Sequence, residues 1–250
     1  MNFSLLKYIG STDIGPTDIM LTRSNSLLQS GIYTVPEASR LAHVSGGRIR
    51  RWLRGYEFQT KRGRHRSPVV WNGQLDPIDH SLALGFLDLI EVRCIDALRT
   101  AGVSWKTLRR AHTRSRELFC HNHPFSTNRF ATDGHSIFME FHDEENRTSL
   151  WDIAEVQRVF DRIIIPFLKN LEFENGQTPV RWWPLGQNRG VALDPKRNFG
   201  HPIVFETGVP TLTLARSVKA NQSIQEVARW FEISPKAVKE AVEFEQQLAA

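Results

Sequence analysis

The apolar positions of residues 33–45 recur at the spacing of an amphipathic helix. One stripe is formed by Val35, Ala38, Leu41 and Ala42. Thr34 and Glu37 have the spacing of a capping box, in which each side chain bonds the backbone amide of the other residue. Pro36 suits the first turn of a helix, because its missing N–H would have no partner there. The pattern predicts a helix over residues 33–45 that begins at this cap.

A second, shorter helix is predicted at 48–54, after a glycine-containing turn at 45–47. Its apolar residues recur at i, i+3 and i+4 and are Ile49, Trp52 and Leu53. Two short helices joined by such a turn form a helix-turn-helix. The following residues predict a β-hairpin with strands at 56–60 and 67–71 and a basic turn at 61–66. A hairpin directly after a helix-turn-helix is typical of a wing.

Residues 47–66 concentrate the positive charge of the chain. The whole sequence has a net charge of +5, whereas this stretch alone has +7, so the remaining residues sum to −2. A focused positive patch on a near-neutral body indicates a surface that binds a polyanion. We predict that the second helix enters the major groove of double-stranded DNA while the hairpin contacts phosphates. The residues predicted to bind DNA are Arg48, Arg50, Arg51, Arg54, Lys61, Arg62, Arg64, His65 and Arg66. The alternative is a solvated basic helix that contacts nothing.

The middle of the chain predicts further helices. Residues 82–118 have a helical apolar pattern that divides at Ala101 and Gly102, and Ser104 can cap the second half. Residues 129–141 alternate in polarity around an Asp-Gly pair, which predicts a hairpin. Residues 150–173 predict a helix that is interrupted where proline occurs at position 166.

The carboxyl-terminal part begins with proline- and glycine-rich loops and short strands at 176–211, followed by a helix at 212–220. Residues 223–242 then repeat the apolar pattern of 34–53, including a second capping box at Ser223 and Glu226. The charge differs, because residues 236–245 have a net charge of −1 and would be repelled by phosphate. We therefore predict that this second unit packs against a partner or another copy, or simply forms a three-helix core, rather than reading DNA.

The composition of the chain narrows the class of protein to which it can belong. Hydrophobic residues are 40% and charged residues 24% of the chain, as in ordinary globular proteins. No run of apolar residues is long enough to span a membrane, and the first 20 residues lack the apolar core of a signal peptide. Two cysteines, Cys94 and Cys120, do not make a disulfide framework, so we expect a cytoplasmic protein.

The predicted fold class is mainly α with small β-hairpins: a winged helix-turn-helix amino-terminal domain, a helical middle and a small helix-turn-helix-like carboxyl-terminal domain. The middle is expected to serve as a linker and dimerisation region that contains the hairpin. The predicted boundaries are a flexible arm at 1–30, the winged helix-turn-helix at 31–75, the helical region at 76–175 and the trihelical domain at 176–250.

Two polar clusters could indicate an enzyme or a metal site. The acidic run at 142–145 could bind a metal ion in a nuclease, but a solvated loop explains it better. Cys120, His121 and His123, with His112 nearby, could bind zinc, but the second paired cluster that structural zinc sites usually have is missing. The sequence also has no glycine-rich phosphate loop or nucleophile elbow. We expect no catalytic residue, no metal and no cofactor.

Two stretches resemble known families. Residues 33–58, the hairpin after them and residues 86–111 resemble the DNA-binding half of MerR-type winged-helix regulators. Residues 200–245 resemble a small domain family, named only as of unknown function, that is common in bacterial and archaeal antitoxins. The positions that fit this family are Gly200, Pro202, Ile203, Gly208, Ile224, Glu226, Val227, Ile233, Ser234, Pro235, Val238, Ala241 and Phe244. Many members have Gly-Thr-Arg where this chain has Gly-Val-Pro at 208–210, so nothing about that loop is carried over.

The two stretches, together with RWWPLG at 181–186 and DPKRNFG at 194–200, look like VapB-type antitoxins with an amino-terminal helix-turn-helix. The resemblance implies a partner toxin of the PIN-like ribonuclease class and repression of a shared operon. For DNA binding we expect a homodimer that places two copies of the 48–54 helix in successive major grooves of an operator. Two alternatives stay open at this point: a solitary MerR-like regulator whose later half senses a small molecule, and an enzyme that uses the acidic run.

Overall fold

The computed structural model of the chain describes residues 29–61, 63–144 and 153–249. The helices are α1 (Val35–Ala42), α2 (Gly46–Arg54), α3 (Phe86–Thr100), α4 (Trp105–Phe119), α5 (Asn128–Glu144), α6 (Ile153–Val159), α7 (Ile165–Lys169), α8 (Thr211–Asn221), α9 (Ile224–Trp230) and α10 (Pro235–Ala249). The strands are β1 (Tyr33–Thr34), β2 (Tyr56–Thr60), β3 (Gly63–Ser67), β4 (Ala83–Leu84), β5 (Leu171–Glu174), β6 (Thr178–Trp182), β7 (Val191–Ala192) and β8 (Ile203–Val204). Short 3₁₀ turns cover Pro124–Ser126 and Asn198–Gly200.

The strands pair two by two within the described residues. β1 pairs with β4, β2 with β3, β5 with β6 and β7 with β8, and every pair is antiparallel. The predicted fold class, mainly helical with small hairpins, is therefore confirmed. The order of helix, turn, helix and hairpin that was predicted for residues 33–67 is also present.

The main hydrophobic core includes residues from all three predicted regions, from Tyr33 through the helices of the middle to Leu248. A smaller core lies between α8, α9 and α10 and contains Val204, Leu214, Val227 and Val238. Arg93 of α3 connects several parts of the main core. Its guanidinium donates to the carbonyl of Leu41 at 3.3 Å and lies 4.7 Å and 5.1 Å from the ring centroids of Phe167 and Trp182. The main core thus holds the amino-terminal helices against later parts of the chain.

The hairpin predicted at 129–141 is wrong, because these residues lie in α5. The Asp-Gly pair that suggested a turn lies inside this helix. A Cβ atom on Gly134 would lie 2.7 Å from the ring of Phe130 and 2.8 Å from the ring of Phe160. Glycine is thus present to let two aromatic rings approach the helix backbone, and not to form a turn.

The helix predicted at 150–173 is shorter and less regular than expected. After α6 the backbone forms a π-helical segment at Phe160–Ile164, and α7 carries Pro166 in its first turn. The end of the predicted helix is strand β5, which pairs with β6. Proline and π-helical segments are both known causes of irregularity in helices, and both occur here.

The wing is formed by different residues than predicted. Its second strand is β3 and not 67–71, and the pair nearest the tip of the hairpin is Thr60 with Gly63. Arg64, His65 and Arg66 therefore lie on a strand rather than in the turn. Pro68 has no N–H to donate, which explains why the strand ends at Ser67.

Several predictions fall on residues outside the described ranges. These are most of the predicted arm, the contribution of Arg62 to DNA binding and the last residue of the acidic run, Glu145. The first three residues of that run belong to the end of α5 and not to a loop. No helix in the described ranges is both long and apolar enough to cross a bilayer.

Candidate nucleic-acid interface

Side-chain caps define the two helices that carry the basic residues. The hydroxyl of Thr34 accepts a hydrogen bond from the N–H of Glu37 at 3.4 Å, and Oε2 of Glu37 accepts one from the N–H of Thr34 at 2.8 Å. His43 ends α1 in a left-handed conformation with φ of 56°. Ser45 caps α2 by accepting a hydrogen bond from the N–H of Arg48 at 3.4 Å. The predicted capping box of α1 is confirmed. The turn between the helices is residues 43–45 and not 45–47 as predicted, because Ser45 caps α2 and Gly46 and Gly47 form its first turn.

One face of α2 is buried and the opposite face is basic. The buried side chains are Ile49, Trp52 and Leu53, which are 0%, 3% and 8% exposed. Successive residues of a helix are rotated by about 100°, so residues 50, 51 and 54 point away from that face. The side chains at these three positions are all arginines and all exposed.

Arg48 differs from the other three arginines of α2. Its Nη1 lies 2.7 Å from Oδ1 of Asp96 on α3, and its guanidinium lies 5.2 Å from the ring centroid of Trp52. These contacts direct the Arg48 side chain along the side of α2 towards α3. Of the four, Arg48 is therefore the one that helps to hold α2 in place, although its side chain stays 42% exposed.

Arg50, Arg51 and Arg54 have few contacts that would compete with a ligand. The guanidinium of Arg51 lies 5.6 Å from the ring centroid of Tyr56, and Nη2 of Arg54 donates to the carbonyl of His80 at a long 3.3 Å. Arg50 has no ion pair with any described residue. A charged group with so few internal partners can bind an external anion without breaking an existing interaction.

The wing has two different faces. Side chains alternate along paired strands, and Phe58 lies opposite His65. The Phe58 ring lies 5.7 Å from the rings of both Tyr56 and His65, so this face is aromatic. The other face carries Arg64 and Arg66, and Arg64 forms an ion pair with Glu57. No residue of either strand is buried, so both faces are open to a ligand.

The base of the wing is fixed by residues that the sequence analysis missed. Nη2 of Arg109 on α4 donates to Oγ of Ser67 and to the carbonyl of Pro68, both at 2.9 Å. Gly55 lets the chain leave α2 with φ of 69°, and a Cβ atom there would lie 2.5 Å from the carbonyl oxygen of Ser67. The partners Arg109 and Ser67 are 42 positions apart. A sequence pattern over neighbouring residues contains no signal for such a pair.

Positive charge extends from α2 towards α4. The guanidinium groups of Arg99 and Arg109 lie 4.6 Å and 5.6 Å from the ring centroid of Trp105, which contacts Trp52 edge-on. Burial lowers the pKa of Arg99 from its ordinary value, and the nearby charge of Arg48 lowers this pKa further. Arginine remains protonated at neutral pH despite such a shift. The surface beside α2 therefore stays cationic.

The acidic residues of α10 are bound within the chain. Glu240 is 5% exposed, and its carboxylate lies 3.0 Å from Nε of Arg189 and accepts a hydrogen bond from the N–H of Gly190 at 2.8 Å. Glu243 also pairs with Arg189. Glu245 accepts a hydrogen bond from the hydroxyl of Thr211 at 2.5 Å. The acidic side chains that give this unit its net negative charge therefore serve in contacts within the chain.

The second unit has the predicted helix pair, α9 and α10. Ser223 caps α9 by accepting a hydrogen bond from the N–H of Glu226 at 3.2 Å. Val227, Ile233 and Val238 are buried between the helices. Trp230, in contrast, is 59% exposed at the end of α9. The matching apolar pattern of the two units thus corresponds to similar local structure.

The structure describes the cysteine and histidine cluster that could have suggested a metal site in full, and the acidic run only in part. His112 and His123 are buried, whereas Cys120 is exposed at the end of α4. Across the described ranges, no three side chains of the metal-binding types converge on one point. The side chains at 142–144 are outside the description.

Comparison with known proteins supports the carboxyl-terminal resemblance. The family described as "Protein of unknown function (DUF433)" matches residues 191–244, which include most of the stretch singled out in the sequence. A Mycobacterium tuberculosis protein named "Putative antitoxin VapB45" is 25% identical in an alignment 230 residues long that covers 85% of this chain and 92% of that protein.

Among solved structures, the crystal structure of Rv2018 from Mycobacterium tuberculosis superposes with a TM-score of 0.61 at 19% identity. The match covers 84% of this chain and 96% of that one. At this level of identity, the likeness shows that the two proteins share a fold. It therefore adds support for the architecture and not for a particular activity.

Proposed function

We propose that the chain is an antitoxin of a type II toxin–antitoxin system of the VapBC kind. The similarity to a protein named as an antitoxin, over nearly the whole of both chains, supports this proposal. In this role the chain binds and neutralises a PIN-like ribonuclease toxin in the cytoplasm. It also represses its own operon by binding operator DNA, and it has no catalytic activity of its own.

The observation that carries the DNA-binding part of the proposal is the exposed face of α2. Arg50, Arg51 and Arg54 project from the side opposite the buried face, and the wing follows directly. Arginine side chains on a helix of this size can read guanine bases in the major groove, while wing side chains bind phosphates. We assign α2 to base contacts and Lys61, Arg62, Arg64, His65 and Arg66 of the wing to backbone contacts. Arg48 contributes to phosphate binding and to the position of α2.

The remaining parts of the proposal concern organisation. Residues 31–75 act as a MerR-like DNA-binding domain, preceded by an arm at 1–30. Residues 76–175 form the region through which a homodimer assembles, and 176–250 form the unit that binds the toxin. The exposed Trp230 supports the last assignment, because aromatic side chains are enriched at the centres of protein interfaces.

Two experiments test the proposal. The tagged chain is co-expressed with the protein encoded beside it, and we expect a complex of fixed stoichiometry. We also expect growth arrest when that neighbour is made alone. In a separate assay, the purified chain should shift a fragment of its own promoter and not a fragment of equal length and base composition. Promoter binding without any partner would instead favour a solitary regulator, and failure of both assays would reject the proposal.

A further inference from the structure

A cavity of about 670 Å³ lies behind the wing, outside the proposed DNA-binding surface. One wall is the segment 69–74, which follows β3, and the other is the second half of α4 with the loop after it. Cavities of a few hundred Å³ with several convergent polar groups are the usual binding sites of small molecules. The polar side chains that matter here are those of Asn72, Gln74, His112, Arg116, His121 and His123.

The walls of the cavity are held in place by a buried carboxylate. Oδ1 of Asp88 accepts hydrogen bonds from Nε1 of Trp71 at 2.8 Å and from Nε2 of His123 at 3.0 Å. Oδ2 of Asp88 accepts bonds from the N–H groups of Gln74 and Gly85, both at 2.9 Å. Asp88 itself is 0% exposed. Three donors from the two walls, Trp71, Gln74 and His123, thus converge on one buried carboxylate and fix the width of the cavity, which is pre-formed rather than dependent on a ligand.

The described side chains that line the cavity include one cation and no acidic residue. Among the described residues that line it, none carries a carboxylate, and Arg116 carries the one permanent charge. Burial raises the pKa of the nearby Glu91 well above its ordinary value, which favours the neutral form of this carboxyl group. An anion that enters the cavity would therefore meet Arg116 and imidazole groups, while the carboxylate of Asp88 behind the walls is buried and accepts four hydrogen bonds.

A buried polar pair at the cavity marks a second point of contact. His112 lines the cavity and is 4% exposed, and its Nε2 has no hydrogen bond to any described residue. Oε2 of Glu91, 3.8 Å from that nitrogen, also has none. Buried polar atoms without partners are rare in native proteins. Both atoms are shielded from the cavity, so a ligand would contact the part of the His112 ring that lines the cavity and not Nε2.

We propose that this cavity binds a small organic anion, whose carboxylate or phosphate group is held by Arg116 while a hydroxyl or amino group approaches His112. The proposal does not depend on DNA or toxin binding. The two polar contacts lie on one wall, on α4, and Asn72 lines the other wall, where the side-chain oxygen of Gln74 accepts a hydrogen bond from the N–H of Leu87. Shape and charge together select a compact, polar, negatively charged metabolite over an apolar or cationic one.

The test uses the full chain and three anionic probes: inorganic phosphate, glycerol 3-phosphate and citrate. Ionic strength is matched with potassium chloride, and uncharged glycerol serves as the neutral probe. The readout is the NMR signal of the Trp71 indole N–H, which lies in the cavity wall and is assigned with Trp71→Phe. We expect a saturable shift of this signal with at least one anion and none with glycerol. A response to phosphate alone would identify a free phosphate site, and a preference for the organic anions would identify a metabolite site.

Two exposed arginines of α4 provide a matched pair of variants. Arg116→Gln should weaken anion binding at least about ten-fold, which corresponds to about 1.4 kcal/mol. Arg114→Gln, which makes the same charge change outside this cavity, should leave binding unchanged. A thermal melt of each variant shows that the fold is retained. Equal affinity of the two variants, equal response to glycerol, or no saturable response to any anion would overturn the proposal.

Discussion

His201 and Glu37 form a contact between two distant parts of the chain: Nε2 of His201 lies 3.1 Å from Oε1 of Glu37. The same carboxylate caps α1 through Thr34. Close by, the hydroxyl of Tyr33 donates to the carbonyl of Gly200 at 2.7 Å, and Arg40 lies 3.8 Å from Glu245. The first helix of the helix-turn-helix is thus held directly by the carboxyl-terminal unit. A ligand that displaced that unit would also alter the surroundings of α1.

Replacement of Glu37 by glutamine should destabilise the protein in a pH-dependent way. Burial raises the pKa of Glu37, but hydrogen bonds from the backbone and side chain of Thr34 and from His201 outweigh this effect and lower the pKa below 4.5. A carboxyl group with a lowered folded-state pKa contributes stability above its unfolded pKa and loses it as the pH falls through the folded value. Urea denaturation should therefore show a loss of about 1 kcal/mol for Glu37→Gln at pH 7 that disappears in acid.

The matched control for this prediction is Glu226→Gln, at the equivalent position of the second helix-turn-helix. Glu226 is exposed, and its carboxylate has no ion pair with any described residue. We expect a smaller effect on stability than for Glu37→Gln. Equal losses for the two variants at pH 7 would show that the contact with His201 adds nothing.

The position that follows α2, Gly55, should not tolerate a side chain. Gly55→Ala places a Cβ atom 2.5 Å from the carbonyl of Ser67 at a positive φ of 69°, so we expect a loss of more than about 1 kcal/mol and a displaced wing. Gly47→Ala is the control, because a Cβ there meets nothing within 4 Å and Gly47 lies inside α2. This control should stabilise the protein by about 0.5–1 kcal/mol. Thermal melts of both variants should show a lower melting temperature for Gly55→Ala and a higher one for Gly47→Ala than for the unmodified protein.

Arg48 should matter more for stability than Arg50 does. Arg48→Ala removes the ion pair with Asp96 and the contact with the ring of Trp52, whereas Arg50 has no ion pair with the described residues. We expect a loss of up to about 1 kcal/mol for Arg48→Ala and almost none for Arg50→Ala. In promoter-binding assays the order should reverse, with the larger loss of sequence-specific affinity for Arg50→Ala. Denaturation and binding curves on the same samples would reveal whether the two roles are divided in this way.

Changes in the wing should weaken binding to all DNA sequences alike. Lys61→Ala and Arg66→Ala each remove one cation that we assign to phosphate binding. The slope of log affinity against log salt concentration should fall by about 0.9 for each phosphate that is no longer neutralised. Fluorescence anisotropy at several salt concentrations gives this slope for promoter and control DNA. A change in sequence preference without a change in slope would place these residues on the bases instead.

The parts of the fold that local patterns encode were predictable. The capping box of α1 and the break between α3 and α4 follow from short-range hydrogen bonds and apolar spacing, and both are present. A turn before α2 is present too, although two residues earlier than predicted. The error at Gly134 arose because a glycine that admits two aromatic rings has the same local sequence as a turn glycine. Phe130 lies on the same helix as Gly134, but Phe160 approaches from a distant segment and leaves no mark on the sequence around the glycine.

The basic surface was predictable as a concentration of charge, but the roles of its members were not. Arg48 and Arg50 are two residues apart and chemically identical. The structure separates them because Asp96, on another helix, lies within 2.7 Å of Arg48. The support of the wing by Arg109 and the cavity behind the wing likewise depend on contacts between distant segments. Sequence patterns identify which residues can bind DNA, and tertiary contacts decide which are free to do so.

The central claim is that the exposed face of α2 reads operator DNA. We would measure promoter binding by anisotropy for the triple variant in which Arg50, Arg51 and Arg54 are replaced by alanine. The control replaces Arg216, Lys219 and Lys239, three exposed cations of the carboxyl-terminal unit, and so removes the same charge. Each arginine that contacts a base should contribute about 1–3 kcal/mol, so we predict that the first variant loses specific binding and the control retains it. Unchanged promoter affinity in the first variant, with a normal thermal melt, would contradict the assignment of α2 as the recognition helix.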